Sequence, residues 1–337
     1  FGTSAVTLEI SEGGTFTFDQ SDSSNNNHPL RFSTTSNGTH GGGSEYTTGV
    51  TTNGTPGNAG AYTRITVAAS APTLYYYCTQ HSGMGGQANT PTTNSFSNFA
   101  GTIQSNISPN TTSGFSIVSY TGTGVANKTI GHGLGTTPAM IIVKNRSITE
   151  EWRVWQRKLG GPTYKLALNS AGGADQGSSV FNGQAATTFT VGTDPSVNGN
   201  GNSLIAYCFN EVQGYSKINE YGGNGNADGT FVYTGFKPAF VMVKRKDASV
   251  DWQIIDNKRS NAGGFNIVDE VLAPNNSNAE YDEGSVNWIA DLVSNGFKVR
   301  GNFNAWNGND GSPYYYIYMA FAENPFTSSA GTPVTAR

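Results

Sequence analysis

Apolar and polar residues alternate in short runs along most of this chain, and Gly, Asn or Pro interrupts them every few positions. "VTLEISEGGTFTFDQSD" has the form strand, Gly-Gly turn, strand, with Thr15 and Thr17 on one face and Phe16 and Phe18 on the other. "AYTRITVAASAPTLYYYC" gives two more strands divided by a small-residue turn, and in the second of them Tyr75 and Tyr77 share a face opposite Tyr76 and Cys78. Few stretches carry the apolar spacing of a helix. The pattern predicts an all-β protein of short strands and polar turns.

From residue 114 onward the pattern repeats. "GFSIVSYTGTG" from Gly114 is answered by "GYSKINEYGGNG" from Gly214. "TPAMIIVKNR" around Pro138 is answered by "KPAFVMVKRK" around Pro238, and "EWRVWQRK" around Trp152 by "DWQIIDNK" around Trp252. All three matches lie 100 residues apart. The closing strands, "IAYCFNE" ending at Glu211 and "IYMAFAE" ending at Glu323, are 112 apart, so the second copy is longer late in the repeat. The Asn- and Gly-rich "RGNFNAWNGNDGSP" is the expected place for the extra residues, as a surface loop. Each copy reads as an apolar strand, a Trp-bearing hairpin partner and an aromatic closing strand. Either two sandwiches or one larger sandwich with a pseudo-two-fold satisfies this pattern. Trp152 and Trp252, at matched positions, are expected in cores.

These runs divide the chain into a domain over 1–90, a linker over 91–113, sandwich repeats over 114–212 and 213–326, and a tail over 327–337. The linker is Thr-, Asn- and Ser-rich, but Phe96, Phe99, Ile103 and Ile107 require a surface to lie on. At 337 residues the chain is long enough for two or three domains. Its net charge of −4 with no basic run leaves no footprint for nucleic acid. No segment approaches the roughly 18 consecutive apolar residues of a membrane helix, so no membrane insertion is expected. Cys78 and Cys208 fall in different predicted domains, which argues against a disulfide framework.

Catalytic signatures are missing: there is no Gly-x-Ser-x-Gly elbow, phosphate-binding loop or His-Glu-x-x-His. Asp251 with Asp256, and Glu280 with Asp282 and Glu283, read as solvated loop charges. His40 and His132 read as loop and turn residues. The stretch "YYYCTQHSGMGG" is different. It places Cys78, His81 and Met84 where a strand ends and a loop begins, a donor order suited to a soft metal. Singly, each has a plain role, since a free Cys packs as a small hydrophobe and a Met fills gaps. His28, in "NNNHPLRFS", supplies a fourth candidate 50 residues earlier.

Those residues resemble the cupredoxins, the small blue-copper sandwiches. "LEISEGGTFTF" matches their opening hairpin, "HPLRF" their first histidine with the apolar residue and Phe after it, and "YYYCTQHSGM" their Cys-x2-His-x2-Met run of the amicyanin type. The resemblance implies a Greek-key β-sandwich, followed here by two jelly-roll-like β-sandwich repeats. It also implies copper on His28, Cys78 and His81 with Met84 as the weak axial ligand. The chain departs from the family in Thr79-Gln80, where Pro or Gly is usual between the Cys and the His. After Met84, "GGQANTPTT" does not read as the family's final strand. The segment "STTSNGTHGGGSEYTTGVTTNGTPGNAGAYT" stands where the family has its middle strands and reads as surface.

Taken with "NTTSGFSIVSYTGTG" and "GHGLGTTPAMIIVKNR", the whole chain resembles structural proteins of tailed bacteriophages of marine bacteria, cyanophages among them. That resemblance implies a non-enzymatic fibre, spike or decoration subunit on the extracellular virion surface. It would assemble with other virion proteins as a homo-oligomer, a trimer by analogy with such appendages. Two other readings stand beside it: a copper protein for electron transfer or metal sequestration, and a carbohydrate-binding module. For the last, Trp306 and Phe303 in the Asn/Gly-rich loop are the expected contacts to a host surface glycan.

Overall fold

The structure, a computed structural model, describes residues 6–92, 95–259, 266–282 and 289–324, with the backbone of short paired strands at Phe326–Thr327 and Pro333–Val334. The side chains of the predicted tail, and Glu283, lie outside the described residues. The chain is all-β and forms two compact units, 1–98 with 106–108, and 99–105 with 109–337. Among the described residues no helix is long and apolar enough to cross a membrane. The stretch expected as a linker holds strands Phe96–Asn98 and Ser105–Asn110. Ile103, Ser105 and Ile107, spaced by two, are all buried, so this segment has a strand period hidden in polar composition.

The first unit is two facing sheets. One runs Leu8–Glu9, Gly85–Asn89, Leu74–Cys78, Leu30–Ser33, and the other Thr15–Asp19, Tyr62–Thr66, Val50–Asn53. Leu8, Ile10, Phe32, Ile65, Val67, Leu74 and Ala88 form the core between them. Phe16 and Phe18 pack on it while Thr15 and Thr17 face solvent, as the alternation predicts. Two expectations need correction. "GGQAN" is a strand, paired antiparallel to Leu74–Cys78 and parallel to Leu8–Glu9. Its glycines are required rather than disruptive: a Cβ on Gly85 would stand 2.1 Å from the Tyr76 carbonyl oxygen, and one on Gly86 2.8 Å from that of Val6. The Gly/Thr-rich segment likewise contributes strand Val50–Asn53 at the edge of the second sheet.

The second unit holds both repeats as a stack of sheets. In the first repeat, Phe115–Thr121, Ser203–Phe209, Met140–Asn145, Arg153–Gln156 and Tyr164–Ala167 make one sheet, and Lys128–Gly131, Thr188–Val191 and Phe181–Gln184 another. In the second, Ser216–Gly222, Tyr315–Ala322, Pro238–Arg245 and Gln253–Asp256 are backed by Asp228–Tyr233, Gly296–Arg300, Ala290–Val293 and Ile267–Val268. The larger sheets of the two repeats face each other. Met140, Ile142 and Val154 meet Ile218, Met242, Ile317, Met319 and Trp252 there.

Central strands are therefore buried on both faces. Ile317 and Met319 point to the opposite repeat, while Tyr316, Tyr318 and Ala320 line their own repeat's core with Phe297 and Leu292. This explains why "AMIIV" and "FVMV" are continuous apolar runs and not alternating ones. Each side chain so buried stabilises by roughly 1.5–3 kcal/mol, so both faces hold the stack together. The two Trp residues behave as expected. Trp252 is buried and its Nε1 donates to the Ala167 carbonyl at 2.9 Å, and Trp152 packs at the margin of the same core. Lys144 and Lys244, also matched, turn their Nζ atoms onto carbonyls of the following hairpin, Glu150 and Ala248. Lys244 is fully buried, which drives its pKa down to about 8.

A second correspondence escapes the sequence alignment. Tyr120 donates to the Val197 carbonyl and Tyr221 to that of Trp306. Phe189 and Phe297 stand edge-on to these two tyrosines. The next residues, Asn198 and Asn307, are both fully buried and pin the turn that follows the first strand of their repeat. The spacing is already 108 at Phe189/Phe297 and 109 at Asn198/Asn307. The loop around Trp306 is thus the counterpart of "PSVNGN", and most of the extra residues precede it.

His132 is likewise a core residue. It is fully buried, its Nδ1 accepts the Leu134 N–H and its Nε2 donates to the Ala185 carbonyl, and burial lowers its pKa.

Two outcomes follow. Asn307→Ala strands several buried backbone groups and should cost about 3 kcal/mol in denaturant unfolding followed by Trp fluorescence; a loss under about 1 kcal/mol would contradict the pinning role. Because folded His132 stays neutral, the unfolded chain takes up the proton first as pH falls through about 6.5. Stability contributed by this group should therefore be complete above that pH and decline below it. In His132→Gln that part of the acid slope should vanish, and an unchanged slope would refute the assignment.

Candidate metal centre

His28, Cys78 and His81 converge. Their ligand atoms lie within 4.8 Å of one another, and among the described residues they are the only such group of three His, Cys, Asp or Glu. The Cys78 sulfur is 3.4 Å from His81 Nδ1 and 3.8 Å from His28 Nδ1, and the two imidazole rings are 4.5 Å apart between centroids. One ion bonded at about 2.3 Å to sulfur and about 2.05 Å to nitrogen puts S···N at roughly 3.6–3.8 Å for tetrahedral or trigonal angles. The observed separations bracket that range. Two imidazoles and a thiol also form the donor set of soft or borderline metals, copper and zinc foremost. The residues fit the group that the sequence implies.

Each arm is held by its own backbone. The His28 N–H donates to the Asn25 carbonyl, and the His28 carbonyl accepts from Gln20 Nε2 at 2.8 Å. Gln20 is buried, and its Oε1 accepts from Leu30 N and Thr63 Oγ1, so one side chain ties the His28 arm to both sheets. Leu30 pairs directly with Cys78 across the strands. Cys78 is gripped on three sides. Its N–H donates to the Met84 carbonyl at 2.9 Å, its carbonyl accepts from His40 Nε2 at 3.1 Å, and the next N–H, of Thr79, donates to the Pro29 carbonyl. Cys78 is 4% exposed, His28 half-buried and His81 exposed. Met84 closes the Cys78 loop through its carbonyl, and its side chain is 47% exposed.

Two features here were not legible beforehand. His40, expected as a plain loop residue, reaches the Cys78 carbonyl. Asn37 bridges Ser82 Oγ and the Gly83 N–H. No spacing signals either, because both act across about 40 residues from a glycine-rich segment. Cys208, by contrast, is a fully buried residue of the first repeat's core, its thiol pKa pushed well up by burial, and both cysteines are free.

The expected glycan contacts do not form a platform. Trp306 is fully buried in the second repeat's core, and Phe303 is half-buried with its carbonyl accepting from the Trp306 and Asn307 amides. The loop is exposed at Asn302, Asn304 and 309–313, as expected of a surface loop, but Trp306 and Asn307 within it turn inward, Asn307 to satisfy backbone groups. The carboxylates read as solvated loop charges are engaged: Asp251 accepts from Asn275 and Asn276, Asp256 pairs with Arg259 at 2.7 Å, and Glu280 with the same Arg259.

The chain belongs to a family described as a domain of unknown function, DUF7483, whose model matches residues 24–325. Neither curated proteins nor solved structures give a match. The matched span starts just before His28 and ends past the last core strand of the second repeat, so it includes His28, Cys78 and His81 and both repeats of this chain.

Proposed function

We propose that this member of the DUF7483 family is a non-enzymatic metal-binding β-protein. Its first unit holds one copper ion on His28, Cys78 and His81, and its second unit is a scaffold. The observation that carries this reading is the convergence of two Nδ1 atoms on one buried sulfur. Copper on such a donor set exchanges one electron between its two common oxidation states. The chain's own residues supply the rest. Burial of Cys78 shields the thiolate from solvent oxidants, while the exposed His81 ring offers an edge to solvent or to a partner. Met84, already fixed by its carbonyl at the loop's end, is the candidate for the weak fourth position.

The role of the whole chain is better served by the scaffold than by the ion. Stacked sheets buried on both faces, with 12% charged residues, suit a protease-resistant extracellular structure. The resemblance to phage structural proteins makes a virion-surface appendage the specific form we favour, assembled with other virion proteins as a homo-oligomer.

Metal-stripped protein titrated with Cu(II) should develop an intense thiolate-to-copper band near ~600 nm, and Cys78→Ala should abolish it. A colourless product, with metal uptake intact in Cys78→Ala, would sink the copper reading. For the appendage, antibody raised against this chain should label purified particles by electron microscopy, and particles that lack the chain would refute it.

A further inference from the structure

The Ser36–Gly43 turn sits on the metal loop through three independent contacts. The first is a seat. Gly38 has φ +53° and lies flat on the Tyr77 ring, so closely that a Cβ there would fall 2.4 Å from the ring carbons. The second is a side-chain bridge. Asn37, at φ 62°, donates through Nδ2 to Ser82 Oγ at 2.9 Å and accepts the Gly83 N–H on Oδ1 at 2.8 Å. The third is His40, whose Nε2 donates to the Cys78 carbonyl while its ring stands edge-on to Tyr77. The peptide after Cys78 is thereby held at both ends, by His40 at the oxygen and by the Pro29 carbonyl at the Thr79 nitrogen. Beside this contact lies a polar cleft of about 250 Å³, bordered by Ser36, Asn37, Tyr75, Gly83 and Gly86. Strand pairing holds Gly85 and Gly86 and the Cys78 N–H holds the Met84 carbonyl, so the turn's own part is Ser82 and Gly83, which Asn37 bonds.

We propose that Asn37 and His40 are positioning residues that hold the Cys78–His81 loop in its metal-accepting geometry before any ion arrives. The proposal rests on the metal-binding reading for its purpose, though not for its geometry. Preorganisation matters because a loop of glycine and serine is costly to order, and bonds already made in the free protein lower that cost when the ion binds. Asn is suited to the first position for a second reason, since it tolerates the left-handed backbone that most side chains avoid.

The variant that isolates the side chain is Asn37→Gly, which keeps the positive φ unstrained. In the metal-free full chain, amide exchange at Gly83 should quicken roughly tenfold, the effect of losing the one hydrogen bond from its N–H to the Asn37 side chain, with the far-UV spectrum unchanged. Copper affinity should fall ~10- to 100-fold, the usual effect of removing an outer-shell partner. Asn37→Asp, which still accepts the Gly83 N–H and can accept from Ser82, should restore both. His40→Ala should shift the copper–thiolate band, and His40→Gln, which still donates, should move it back. Wild-type exchange at Gly83 together with wild-type affinity in Asn37→Gly would overturn the proposal. If the wild-type chain takes up no copper, the metal reading fails by itself, and the exchange rate of Gly83 alone decides the clamp.

Discussion

Burial on both faces of the central strands is the constraint on which the second unit depends. A sheet flanked by two cores has no solvent side, so every inward position on it must be apolar or bonded within the protein. Buried polar residues on and around these sheets mostly obey this rule, with the Ser116 hydroxyl and the Gln253 Oε1 as exceptions that are buried without a partner. Lys244 spends its donors on the Arg245 and Ala248 carbonyls, and Asn198 and Asn307 each satisfy several backbone groups. Duplication of the repeat and burial of the interface between copies are one fact: each copy's larger sheet would expose Met, Ile and Trp side chains if the other were absent.

The first unit answers to a different constraint, close packing of backbone around His28, Cys78 and His81. Gly85 and Gly86 let the final strand run against Tyr76, and Gly38 lets the Ser36–Gly43 turn lie on Tyr77. The richness in glycine that makes this segment look unstructured is what allows it to be tightly built. Gln20 and Asn37, neither of them a ligand, fix the two arms from opposite sides.

Much of this was written in the order of residues. Alternation in "TFTF", the continuous run in "AMIIV" and the spacing of Cys78, His81 and His28 all carried through to strands, a two-faced sheet and a convergent donor set. What failed had a common cause, the use of composition as a proxy for exposure. "GGQAN" and "SNISPN" did not read as strands because their side chains are small or polar, yet both are strands. Trp306 looked solvated because its neighbours are Asn and Gly, yet it is fully buried, and Asn307 beside it turns inward to bond backbone carbonyls. His40 and Asn37 could not have been found, since their contacts depend on how a long irregular segment folds back.

The two arms of the candidate site lie far apart along the chain, His28 and Cys78 being 50 positions apart. An ion shared by them would act as a cross-link, closing that whole stretch into a ring and raising the work needed to pull the unit open. Resistance to unfolding would then rise with the free concentration of the ion. Under a pulling force, occupancy of such a site would set how firmly the unit holds together.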